Sequence, residues 1–467
     1  VFLIRNKQAF SCSERSEQKI VVLKTDMSEN EDEYQEFTNY NSSTIIRKRY
    51  EITEKTGDPD RDYINAPIDA LGPPGRWIRH KLLESILYGT PVLVAIQQLR
   101  TKKFTKIMKF ASILGTEEFY AVLLCFLTWI VDLRLGRLAS IAMGIGFYVA
   151  NAVKNAFCLP RPPSPPVRPL EDAYYTWGLP SHHSVLAVIC PWYIWFYVLQ
   201  HYHFQVTTLV CLFSFITLWS FMVMLCRIYN GVHSPADVVT GSLLGVMIVA
   251  FMNRFDNEID LSSVMNGQSA LILPIWLAIL LILHPFNDVG IPAFEETNSM
   301  ASCSVGIMLG KAFSHGKSPH FKALLETYIP GETSIFKAIL FGFLRYLIGV
   351  IFVVLAKEVS KFLTNLVIST FCKIFKINYI KKSPRSKFYT GYTENYLLPP
   401  IYKDRKRGED DDDVDDGVME EKSATTSTTK EEVWNIGHYS RFVSYMCMGF
   451  VAYYCNNLFY QYVGLVL

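Results

Sequence analysis

The chain has 467 residues, of which 50% are hydrophobic, 14% aromatic and only 19% charged, against about 25% charged in soluble domains. A formal net charge of +2 without a basic stripe gives no support for a nucleic-acid surface. Repeated apolar runs of about 15 to 25 residues, the length that crosses a bilayer as helix, predict an all-α, polytopic membrane helical bundle rather than two or three soluble domains.

Residues 1–75 read as a polar arm without a core, with an acidic patch (Glu29 to Glu36) and a basic knot (Arg47, Lys48, Arg49). Asn41-Ser42-Ser43 fits a glycosylation sequon that matters only if the arm is lumenal. The opening stretch lacks a signal-peptide pattern, so insertion would rely on the first internal span, and Val1 is not taken as the true start. Gly72-Pro73-Pro74-Gly75 punctuates the boundary. Leu82 to Leu99 is the first candidate span, weakened by Glu84 and Pro91, and Arg100 to Phe110 has the lysine spacing of a surface-lying amphipathic helix. Thr116 is placed as the N-cap of the next helix, with Glu117 and Glu118 in its first turn and Phe119 to Val131 crossing the membrane. Leu138 to Val153 follows, and then six prolines between Pro160 and Pro169 impose a stiff, non-helical loop.

Val185 to Leu199, Val206 to Leu225 and Val238 to Met252 are the next spans. Ala270 to Leu283 and Ala338 to Ala356 are two more, whereas Phe362 to Phe375 is short and reads as interfacial. A basic stretch (Lys373 to Lys387) leads into Asp410 to Asp413 and a Ser/Thr/Glu-rich loop, before Phe442 to Leu467 closes the chain. The predicted divisions are therefore 1–75, a membrane core at 76–255, further helices and loops at 256–375, a low-complexity loop at 376–440 and a last span at 441–467. The ten cysteines form no CxxC pair, and most, such as Cys125, Cys190 and Cys211, sit inside apolar runs and read as small buried hydrophobes.

Three polar knots interrupt this apolar pattern: Lys154 to Pro162, Pro180 to His183, and Cys226 to Asp237. Ionisable groups at membrane depth are costly and call for a reason. Each knot alone has a structural reading: Lys154 can snorkel, a single histidine can be hydrogen-bonded structure, and Arg227 can pair with Asp237. The order of spans, however, delivers all three knots to the same membrane face. There they complement a phosphoryl group, whose charge spreads over three equatorial oxygens and is stabilised by cations and aimed N–H donors. Lys154, Arg161 and Arg227 supply the cations and Ser181 a hydroxyl. The helix starts at Pro180-Ser181 and Ser234-Pro235 add free amides. His233 and Asp237, four residues apart, suit a nucleophile held in its attacking tautomer, and His183 suits a general acid. No carboxylate cluster with metal-ligand spacing is evident near the knots, so the scheme is metal-independent and needs no cofactor; Asp410 to Asp413 is read as compositional.

These knots resemble the three-part signature of the type 2 phosphatidic acid phosphatase (PAP2) superfamily: Lys-x6-Arg-Pro, Pro-Ser-Gly-His and Ser-Arg-x5-His-x3-Asp. Lys154, Arg161, Ser181, His183, Arg227, His233 and Asp237 fall on matched positions. The resemblance implies a six-helix catalytic core followed by additional C-terminal transmembrane helices, with His233 as nucleophile, Asp237 its partner, His183 the acid and the others phosphate ligands. Gly115 to Tyr120, Cys158 to Val167 and Tyr174 to Pro180 are similar to the sphingosine-1-phosphate (long-chain base phosphate) phosphatase branch. Its members reside in the endoplasmic reticulum membrane with a lumenal site. Two departures stand out: His182 occupies the position of a small residue beside the phosphate, where it is counted among the phosphate-binding residues and either narrows the pocket or shifts the acid role by one position, and Cys226 replaces a serine. The partners implied are a lipid phosphate and membrane lipids, with no metal. Rival readings are a phosphatase of phosphatidic acid, a polyprenyl diphosphate or a sugar phosphate, and a catalytically decayed lipid-binding or scrambling protein. Transport would predict repeated halves with broken helices, and no internal repeat is visible.

Overall fold

In the computed structural model the described residues are 71–163, 166–171, 176–262, 269–285, 292–314, 321–329, 334–380 and 434–466, all within one compact unit, Ile46–Leu467. The arm through residue 70, its sequon, and the stretch 381–433 containing Asp410 to Asp413 lie outside the described residues.

The described residues are helical nearly throughout. Helix α1 (Pro73–Gln97) starts on its proline pair and contains Pro91. Helix α2 (Lys102–Ile113) is capped by Thr101, and its buried Met108 and Ala111 pack with Cys226 and Tyr229. Thr116 caps α3 (Glu117–Phe126) as expected, accepting from the Phe119 amide at 3.3 Å, and a π-helical turn (Leu127–Val131) continues it. Asp132 caps α4 (Leu133–Phe157), which Cys158 ends in a left-handed conformation at φ 46°. Then come α5 (His182–His201), α6 (Val206–Tyr229) and α7 (Pro235–Ser262). Tyr120, Leu138, Phe147, Val185, Ile189, Tyr193, Ile248 and Met252 form the main apolar core between α3, α4, α5 and α7.

The second half comprises α8 (Ile272–Leu283), α9 (Ala293–Ser314), α10 (Ile335–Ile374) and α11 (Ile436–Phe450), extended through a π-helical turn (Val451–Cys455) into α12 (Asn456–Tyr462). A two-residue parallel pair, Tyr379–Ile380 with Trp434–Asn435, is the one strand pairing among the described residues.

Among the described residues, five helices are long and apolar enough to cross a membrane: α4, α5, α6, α7 and α10. Helices α2 and α3 add a sixth if the pair, bent by 56°, counts as one span. The stretch after Ala270 forms only a 12-residue helix, about 18 Å long at 1.5 Å per residue and short of the bilayer core.

Two expectations for the second half are corrected. The predicted span Ala338 to Ala356 and the segment Phe362 to Phe375, read as interfacial, are parts of one 40-residue helix, α10. The charges between them (Lys357, Glu358, Lys361) interrupt hydropathy but carry good helix propensity. At 1.5 Å per residue this helix is about 60 Å long, twice the hydrocarbon core. Helix α9 falls where connecting loop was expected. It is rich in Ser, Thr, Asn and Gly, yet Thr297, Asn298, Ser299 and Ser302 are buried between neighbouring helices. Small residues let it approach α11 closely: a Cβ at Gly306 would lie 2.0 Å from the Met446 carbonyl oxygen, and one at Gly449 would lie 2.0 Å from that of Cys303.

Candidate active site

The three polar knots meet where α4 and α6 end and α5 and α7 begin. Lys154 lies in the last turn of α4, Ser181 is the N-cap of α5, Arg227 lies in the last turn of α6, and His233 sits in the connection to α7. Lys154, Arg161, Ser181, Arg227, His233 and Asp237 are all buried, at 5% exposure or less.

Arg161 comes from the proline-rich loop. Its Nε donates to the Thr176 carbonyl at 3.0 Å and its Nη1 to the Val232 carbonyl at 2.6 Å, while Nη2 donates to Thr176 Oγ1. The same Nη1 lies 3.3 Å from His233 Nε2. A guanidinium can only donate, so this contact requires a lone pair on Nε2 and a proton on Nδ1. Nδ1 faces Asp237 Oδ2 at 3.5 Å. Burial, followed by the charges of Arg161, Arg227 and Lys154 and the His183 ring, pushes the His233 pKa well below 6.5, which keeps the ring neutral.

Asp237 is fixed by a local motif. Ser234 and Asp237 form a capping box around Pro235: the Ser234 amide donates to Asp237 Oδ2 at 2.7 Å, and the Asp237 amide donates to Ser234 Oγ at 3.1 Å. The helix start legible at Ser234-Pro235 therefore also aims the carboxylate at His233. Asp237 further ties α7 to α5, its carbonyl accepting from the Ser181 amide at 3.1 Å. Ser181 caps nothing with its side chain, and its buried Oγ has no partner among the described residues.

Arg227 pairs with Glu171 rather than with Asp237: Nη1 donates to Glu171 Oε2 at 2.9 Å and to Ser112 Oγ at 3.0 Å. Glu171 also accepts from Ser112 and from Asn230. His183 opens α5 among the same cations, within electrostatic reach of Arg227, Lys154 and Arg161. It packs against the turn before α3, where a Cβ on Gly115 would lie 2.8 Å from His183 Cδ2. His182 turns elsewhere: its Nδ1 lies 3.5 Å from Glu296 Oε2 on α9, and its ring meets Phe147 edge-on at 5.4 Å. Glu117, His182 and Glu296 offer ligand atoms all within 4.8 Å of one another. The expectation that no carboxylate cluster lies near the knots is thereby corrected. Neither carboxylate is close to the knots in sequence, and α9 was not legible as a helix.

Sequence reasoning also missed Glu171 and Thr176, which steer Arg227 and Arg161. An apolar groove of about 500 Å³ lined by Phe126, Ile130, Leu324, Ala338, Phe343 and Tyr346, among others, carries no cation and is not the phosphate site.

Residues 135–260 match the PAP2 superfamily model. Over 336 residues the chain is 29% identical to a "Probable sphingosine-1-phosphate phosphatase" of Dictyostelium discoideum, covering 68% of this chain and 80% of that protein. It is 27% identical over 324 residues to "Dihydrosphingosine 1-phosphate phosphatase C823.11" of Schizosaccharomyces pombe, covering 66% and 75% respectively. A crystal structure of a transmembrane PAP2-type phosphatidylglycerolphosphate phosphatase from Bacillus subtilis aligns with a TM-score of 0.34 at 20% identity, over 40% of this chain and 95% of that one. The membrane-length helices, the PAP2 family match and the phosphatase-named curated relatives define a multi-pass membrane phosphoric monoester hydrolase. Residues 135–260 carry a PAP2 superfamily domain.

Proposed function

We propose that the chain hydrolyses sphingoid long-chain base 1-phosphates to the free base and phosphate, without a metal, at the lumenal face of the endoplasmic reticulum membrane. The observation that carries the mechanism is the placement of His233 between Arg161, 3.3 Å from Nε2, and Asp237, whose Oδ2 lies 3.5 Å from Nδ1 without a hydrogen bond among the described residues. This placement sets Nε2 beside a guanidinium that attracts phosphate. Nε2 attacks phosphorus and the P–O ester bond breaks. His183 gives its proton to the departing alkoxide, and Asp237 stabilises the charge that develops on the His233 ring. Water, deprotonated by His183, then cleaves the P–N bond and releases phosphate. Lys154, Arg161, Arg227 and the free hydroxyl of Ser181 hold the equatorial oxygens. The substrate reading is supported by the named activities of the relatives, and the compartment by the branch that the motifs resemble.

The test is phosphate release by the purified chain from sphingosine 1-phosphate and phosphatidic acid in detergent, with excess chelator. Wild type is expected to turn over the former and to keep its activity in chelator. His233→Ala is expected to lose turnover and to form no acid-labile phosphoenzyme. Full activity in that variant, or an absolute metal requirement, contradicts the mechanism. Preference for phosphatidic acid contradicts the substrate.

A further inference from the structure

Helices α3, α5 and α9 bring Glu117, His182 and Glu296 together beside the phosphate cations. Asn151, on α4, is completely buried at 0% exposure, and its Nδ2 reaches Glu296 Oε2 at 3.5 Å. Its Oδ1, however, has no hydrogen-bond partner among the described residues, and neither has His182 Nε2. A buried acceptor left without a donor is costly. Here such acceptors gather next to two carboxylates, so the place is short of donors and of positive charge. Hydrogen bonds of about 2.9 Å at tetrahedral angles set acceptors about 4.7 Å apart around one ammonium, which suits a cluster whose atoms lie within 4.8 Å of one another. Lys154, three residues beyond Asn151 on α4, is within electrostatic reach of Glu296 and Glu117 as well as of Arg161 and Asp237. The surroundings of Lys154 thus combine carboxylates with the cations read as phosphate ligands. A second cation there is tolerated best when it arrives with one charge and its own phosphate, rather than as a dication beside Lys154 and Arg161.

We propose that Glu117 and Glu296, with Asn151 Oδ1 and His182, bind the ammonium of a 2-amino alkyl phosphate and so select long-chain base phosphates over amine-free lipid phosphates. This inference rests on the phosphatase reading above and specifies its substrate class. A site built to hydrogen-bond a substrate N–H rejects analogues that lack it strongly, because its own polar groups are then left unpaired.

The experiment measures kcat/KM of the purified full chain for sphingosine 1-phosphate and for a lysophosphatidic acid of matched chain length, in wild type, Glu296→Gln and Glu117→Gln. The ratio of amine to amine-free substrate is expected to fall at least about tenfold in each variant, mainly through KM. An equal loss on both substrates indicates a structural role and overturns the proposal, as does an unchanged ratio. Activation or inhibition by Zn²⁺ that Glu296→Gln abolishes also overturns it, in favour of a metal site. Should neither variant fold, wild type alone decides: N-acetylated sphingosine 1-phosphate, uncharged at nitrogen, is expected to react at least about tenfold less efficiently than the amine, and equal efficiency refutes the ammonium site. Wild type active on the amine-free lipid but not on the amine sinks the substrate reading and this inference together. Wild type active on neither sinks the phosphatase reading itself.

Discussion

Replacing Asp237 with Asn isolates the charge on the His233 partner, because the amide oxygen can occupy the Oδ2 position and keep the bond from the Ser234 amide. The capping box, and with it the start of α7, is preserved. What is lost is a negative charge 3.5 Å from His233 Nδ1. With an effective dielectric of about 20, two unit charges at that separation interact by about 5 kcal/mol. The amide dipole returns part of this, so roughly 3 to 5 kcal/mol of stabilisation disappears from a transition state in which the His233 ring becomes cationic. At 1.36 kcal/mol per factor of ten, kcat should drop by about 10² to 10³·⁵ while KM changes little, since the phosphate ligands are untouched. The assay is steady-state phosphate release in detergent, with thermal unfolding alongside to confirm that the variant is folded. A folded Asp237→Asn enzyme whose kcat stays within about fivefold of wild type would show that the carboxylate serves α7 alone.

Burial and then Arg161 hold the His233 pKa well below 6.5. In Arg161→Gln, removing the positive neighbour should raise that pKa, so the acid limb of the kcat/KM profile moves to higher pH; an unmoved limb places the guanidinium outside the electrostatics of the ring. Ser181→Ala deletes a hydroxyl that bonds to nothing among the described residues, so it should lower kcat/KM about tenfold with little change in melting; the reverse pattern would make it structural. Gly306→Ala sets a Cβ 2.0 Å from the Met446 carbonyl and should destabilise by about 2 kcal/mol or more, read as a lower melting temperature in detergent. A melting curve like that of wild type would contradict the close crossing of α9 and α11.

Much of this protein was written locally in its sequence. The apolar runs set its class, because a backbone in lipid must satisfy its own hydrogen bonds and does so as helix. The knots at Lys154, Ser181–His183 and Arg227–Asp237 announced themselves as charges among hydrophobic residues, and their span order already put them on one face. Thr116 and the Ser234-Pro235 start were legible because capping is settled within one turn. Tertiary structure decided what depends on partners remote in sequence. Hydropathy registers exposure to lipid, so a helix covered by other helices, such as α9, can be polar and escape notice. The charges at Lys357, Glu358 and Lys361 looked like an end, yet α10 runs through them because helix propensity, not hydropathy, governs continuation. Above all, the pairing of Glu171 with Arg227, and the meeting of Glu117 with Glu296 around His182, joins residues from separate helices. Only packing can bring such groups together, since side-chain electrostatics acts through space and a sequence records neighbours along the chain.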